Sequence, residues 1–143
     1  MSRSDDAVDI FKNGLNCTQS ILWAYWEGLG IDRDSALKIG MAFGGGIAKR
    51  GGTCGAVSGA LMVLGLSFGS TDAKDIASKN NTYAVAEKFM KEFEARNNTS
   101  DCRELIGFDI SQPFTPEKIK IISEKCPKFI RDAADIIEEI LKG

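Results

Sequence analysis

The sequence predicts an all-α single domain, a compact bundle of about five to seven helices, short ones included. Apolar residues recur three and four apart along most of the chain, and no segment alternates apolar with polar as a half-buried strand does. Capping residues and glycines punctuate that pattern at helical intervals. With 143 residues, 43% hydrophobic and 27% charged, residues 1–143 fit one ordinary globular domain without repeats or low-complexity tracts.

The elements follow in order. Ala7, Ile10 and Phe11 mark a short first helix that Gly14 ends. Asn16 is placed as an N-cap with Gln19 in the capping-box position, opening a helix with Leu22, Tyr25, Trp26 and Leu29 on one face. Asp32 caps a shorter segment ending near Ala42, and a glycine-rich stretch runs from Phe43 to Gly52. Thr53 is expected to cap an apolar helix from Cys54 to about Leu64. Ser70-Thr71-Asp72 is expected to start a long helix whose face holds Tyr83, Ala86, Met90 and Phe93, fraying at Asn97-Asn98. Cys102 follows Ser100-Asp101 in a turn or short helix stopped by Gly107. Thr115-Pro116 is an N-cap followed by first-turn proline, and Cys126-Pro127 is read as a repeat of that start. The final helix buries Phe129, Ile130, Ala133, Ile136, Ile137 and Ile140, with Asp132, Asp135 and Glu138 expected on a solvated face.

Composition removes several function classes. There is no histidine, which excludes imidazole proton shuttles, His-dependent nucleophile triads and histidine-ligated haem. A formal net charge of -2 gives no basic surface for nucleic acid. The acidic, polar N-terminus is not a secretory signal, and Gly51–Thr71 is too diluted by glycine, serine and threonine to span a membrane. The expectation is a cytoplasmic protein whose thiols stay reduced.

Chemistry then falls to Cys17, Cys54, Cys102 and Cys126. Each is expected at or beside a helix N-terminus, where free N–H groups and the helix dipole stabilise a thiolate. Lys49, Arg50, Arg103 and Lys125 flank them, and no acidic residue lies between Asp34 and Asp72. A structural zinc site lacks the close CxxC knuckles such sites use. Gly46 to Thr53 has P-loop spacing, but Gly52 stands where the lysine must be and no strand precedes it, so no nucleotide is expected. Gly52, Thr53 and Gly55 are instead candidates for close backbone approach to a cofactor, their N–H groups facing sulfur. The plainer reading is a flexible turn. Gly55 and Gly59, with Ala56 and Ala60, suit tight helix-on-helix packing. Asp101 reads as a cap and Glu104 as a solvated residue, while Trp23 and Trp26 read as core or interface.

Asn16-Cys17, Cys54-Gly55-Ala56-Val57-Ser58-Gly59, Cys102-Arg103-Glu104-Leu105-Ile106-Gly107 and Cys126-Pro127 together resemble the four-cysteine CGAxxG (C_GCAxxG_C_C type) family. The similarity runs from about Ala7 to Leu141. It implies a small helical domain with a redox role assigned from its cysteines, and an association with membrane transporters. Related domains occur in larger proteins with c-type haem, but this chain has no CxxCH, so haem is not expected.

The favoured expectation is electron transfer through an iron–sulfur cluster, [2Fe–2S] or [4Fe–4S], held by Cys17, Cys54, Cys102 and Cys126. The alternative is dithiol/disulfide exchange, without a cofactor, with Cys54 as the attacking thiol and a second cysteine resolving it. A third reading is a non-catalytic helical interaction module, a homodimer for instance, or a structural zinc protein. The expected partner is a redox protein or a small thiol.

Overall fold

This computed structural model describes residues 2–143. Among them the chain forms seven helices and no strand: α1 (Arg3–Lys12), α2 (Cys17–Tyr25), α3 (Arg33–Met41), α4 (Gly55–Phe68), α5 (Ile76–Asn97), α6 (Cys102–Ile106) and α7 (Pro116–Lys142). The all-α expectation holds, as does its range of helix number. Among the described residues, no helix is long and apolar enough to cross a membrane.

Helix α2 is the central element, packed by α1, α3, α4 and α7. Its start is fixed by the capping box read from the sequence: Asn16 Oδ1 accepts from Gln19 N, and Asn16 N donates to Gln19 Oε1. Thr18, Ser20, Ile21 and Leu22 are all buried. Tyr25 is buried too, and its hydroxyl donates to Ala134 O at 3.1 Å and to Glu138 Oε1 at 2.8 Å, tying α2 to α7. Helix α4 lies against α2 at close range because its glycines have no side chain. A Cβ on Gly59 would stand 2.9 Å from Thr18 O, and one on Gly55 would stand 3.0 Å from Cys17 Cβ. The small-residue face of α4 is therefore a packing device, as its sequence indicates. Thr18 Oγ1 donates to Gly55 O at 2.8 Å across the same contact.

Four expectations of the pattern need correction. Thr53 is not a cap: it forms an antiparallel bridge with Asp101, and Cys54 N donates to Ser100 O at 2.7 Å, so Cys54 becomes the N-cap residue. Helix α5 starts at Ile76 because Asp75 caps it, accepting from Ser78 N and Ser78 Oγ, while Asp72 spends its carboxylate on the turn at Lys74 N. Its inward face is set by fully buried Phe89 and Phe93, with Tyr83 65% exposed.

Cys126-Pro127 does not start a helix. α7 runs unbroken through Pro127, although a proline there removes the N–H that would bond the carbonyl of Ser123. The apolar stripe explains why: Ile122, Cys126, Phe129, Ile130 and Ala133 continue at helical spacing across the proline and pack into one core. The burial of that stripe outweighs the local cost of about 3 kcal/mol for an interior proline. The acidic face of α7 is also less solvated than its pattern implies. Asp132 meets Lys128 Nζ at 2.7 Å and Asn97 Nδ2 at 3.2 Å, anchoring α7 to the end of α5.

Candidate functional site

Helix ends bring three of the four cysteines to one place. Cys17 opens α2 just behind its capping box, Cys54 precedes α4, and Cys102 opens the short α6 behind the Asp101 cap. The segments leading into α4 and α6 hold the last pair: Cys102 N donates to Gly52 O at 2.6 Å, and Cys54 N to Ser100 O at 2.7 Å. Cys126 arrives from mid-α7, so the expectation that all four stand at helix N-termini fails for it. All four line one cavity of about 470 Å³. None is in a disulfide.

The wall of that cavity is apolar. Leu105, Ile106, Ile110, Phe114 and Phe129 contribute to it from α6, the following loop and α7, and Phe11 and Met41 from the other side. Leu105, Ile106 and Ile110 are buried, while Met41 is 69% and Phe114 43% exposed, so the cavity opens between an inner thiol-bearing end and an outer apolar edge. Sequence reading missed this wall, because its residues come from segments that become neighbours only on folding.

The glycine-rich stretch forms a left-handed turn whose Gly44, Gly45, Ala48 and Lys49 line the cavity. Gly45, Gly46, Ile47, Ala48 and Lys49 all have positive φ, between 50° and 71°. This is a left-handed turn, closed by Lys49 N to Gly44 O, Gly51 N to Gly45 O and Gly52 N to Gly46 O. Gly46 is required there, since a Cβ would stand 2.8 Å from Cys102 Cβ. Of the residues expected to approach a cofactor, Gly55 lines the cavity and packs against α2. Gly52 and Thr53 do not line it. The Gly52 N–H is consumed by Gly46 O, so it does not face a sulfur.

Burial and neighbours separate the four thiols. Burial pushes Cys54 up to about 12, although the N–H groups of Ala56 and Val57 at the start of α4 favour its thiolate. Burial also pushes Cys102 up, to about 11. The Cys17 thiol hydrogen-bonds the sulfur of Cys126 and is itself held well above the ordinary value, first by that bond and then by burial. Cys126 moves the other way: the bond from Cys17, helped by Lys125, holds it below the ordinary 9.0. In this apolar setting desolvation opposes the helix dipole, so Cys54 is not the thiol most ready to ionise. Cys126 is.

Among the described residues, no group of three or more His, Cys, Asp or Glu side chains closes on a point that would hold a metal ion. Of the four thiols, Cys17 and Cys126 act on each other's ionisation most strongly.

No curated protein and no solved structure gives a significant match to the chain. A family described as "Putative redox-active protein (C_GCAxxG_C_C)" matches residues 15–140, a span that holds all four cysteines of the cavity. On that match over most of its length, the chain belongs to the C_GCAxxG_C_C family.

Proposed function

We propose that the protein is a dithiol/disulfide redox protein whose working couple is Cys126 and Cys17. The observation that carries this reading is that both line one cavity and are shifted in opposite directions there: interaction with Cys17 holds Cys126 below the ordinary thiol value, while Cys17 is held above it. A nucleophilic thiolate beside a protonated thiol that can resolve a mixed disulfide is the arrangement thiol exchange requires. In the forward direction the Cys126 thiolate attacks one sulfur of a disulfide substrate, whose other sulfur leaves as a thiolate and takes up a proton. Cys17 then loses its proton, attacks Cys126 Sγ, and releases the second substrate thiol. Two electrons pass to the substrate, and the chain is left with a Cys17–Cys126 disulfide that an external dithiol reduces. Cys54 and Cys102, held neutral by burial, contribute apolar lining on this reading.

An iron–sulfur cluster is the second reading, favoured by the convergence of all four thiols on one cavity. Four thiolates match the ligand count of a [2Fe–2S] or [4Fe–4S] cluster, which would supply one-electron transfer.

Mild oxidation of the reduced protein separates the readings. The dithiol reading expects loss of two free thiols and a peptide map joining Cys17 to Cys126, abolished by Cys17→Ser or Cys126→Ser and retained in Cys54→Ala and Cys102→Ala. A brown protein from anaerobic purification, with stoichiometric iron and acid-labile sulfide lost in any single cysteine variant, would establish the cluster instead.

A further inference from the structure

The cavity that holds the thiols carries one charged side chain among its lining residues, Lys49. Its other polar side chain, Asn16, is already consumed: Oδ1 accepts from Gln19 N and Nδ2 donates to Met41 O. Lys49 makes no salt bridge among the described residues. Its Nζ lies 4.1 Å from the centroid of Phe114, at the outer edge of the cavity, while Cys54 and Cys102 are buried at the inner end. The lysine is also held in an expensive conformation. It ends the left-handed run Gly45–Lys49, in which Ile47, Ala48 and Lys49 have no glycine freedom. Such a run persists only where surrounding contacts enforce it, and backbone strain of this kind clusters at functional sites.

A chamber of about 470 Å³ is the size of small-molecule sites, which are mostly apolar with few polar groups to fix orientation. Here the orienting group is a single cation. We propose that the cavity takes a small organic disulfide with an apolar body and one anionic group, its anionic end at Lys49 and its disulfide toward Cys126. This rests on the dithiol reading for its chemistry. The balance is one substrate disulfide and one protein dithiol giving two substrate thiols and the Cys17–Cys126 disulfide. A polar disulfide would leave its hydrogen-bonding groups unpaired against the apolar wall.

Two probes separate recognition from chemistry. Octanoate and octanamide share the apolar body and differ in charge, and neither contains sulfur. Calorimetric titration of the reduced protein should find octanoate bound about fivefold more tightly, the scale of one partly exposed ion pair. Lys49→Gln should abolish the difference and Lys49→Arg should retain it. In single-turnover assays lipoate, a cyclic disulfide with an apolar chain and a carboxylate, should oxidise the Cys17–Cys126 dithiol faster than lipoamide, with the same dependence on position 49. Equal binding of octanoate and octanamide, or binding of neither, overturns the substrate assignment. If that occurs while bis(2-hydroxyethyl) disulfide is still reduced, the dithiol reading survives. Preferential octanoate binding with no disulfide reduced at all overturns the dithiol reading and the disulfide part of the assignment together.

Discussion

The sulfur of Cys126 is distinguished from three chemically identical side chains only by what touches it. Its thiolate gains a hydrogen bond from Cys17 and the field of Lys125, whereas Cys54 loses more to burial than the N–H groups of Ala56 and Val57 return, and Cys102 is raised by burial and by the charges of Cys126 and Asp101. A thiol whose value is lowered ionises earlier as pH rises, so Cys126 should be the first cysteine alkylated by iodoacetamide, with a midpoint below 9.0. Cys17→Ala removes the donor and should raise that midpoint. If the bond is worth about one pKa unit, the alkylation rate near neutral pH falls about tenfold. A midpoint that stays put in the alanine variant would show that Lys125, and not Cys17, sets the ionisation of Cys126.

Helix α4 shows the same dependence on surroundings at the level of an element. Two of its glycines look alike in the sequence and differ in space. Gly59 faces Thr18 O and Ile21 Cβ, which an added Cβ would meet at 2.9 and 3.0 Å, whereas Gly65 has nothing within 4 Å. Gly59→Ala should therefore destabilise by about 1–3 kcal/mol, because neither the α2 backbone nor buried Ile21 can move aside cheaply. Gly65→Ala should stabilise by roughly 0.5–1 kcal/mol through helix propensity alone. Opposite shifts of the denaturant midpoint would confirm the contact, and like shifts would refute it. The sequence announced that α4 packs closely, through Gly55, Ala56, Gly59 and Ala60, but periodicity alone does not say which glycine bears the contact. The same limit explains α7, where local proline chemistry suggests a new helix at Cys126 and the long apolar stripe carries one helix through instead.

For the molecule as a whole, burying thiols makes stability depend on alkaline pH. Cys54 is raised to about 12 and Cys102 to about 11 from an unfolded value near 9.0. Both then bind protons in the fold that the unfolded chain gives up. Their contribution is complete below about pH 9 and is lost as pH rises from there toward the folded values. Urea midpoints should accordingly fall between pH 8.5 and pH 10.5, on the order of the two thiols' titration range. The fall should shrink when Cys54 is replaced by alanine. A midpoint equally pH-dependent in Cys54→Ala would assign the effect elsewhere, for instance to Tyr25, whose hydroxyl is raised in the same direction by burial and by Glu138.

Much of the fold was legible from local signals, since Asn16, Asp32, Asp101 and Thr115 cap the helices that their side chains indicate. The four cysteines were equally legible as the leading candidates for chemistry in a histidine-free chain. Capping and periodicity act within a few residues, so a single segment contains all the information they need. Tertiary structure alone decided that these thiols share one apolar cavity, that Cys17 and Cys126 set each other's ionisation, and that a left-handed turn sets Lys49 at the edge. An ionisation depends on desolvation and on charges a few ångströms away, and those neighbours come from helices far apart in sequence. The order in which four identical thiols lose their protons is therefore a property of the packed molecule.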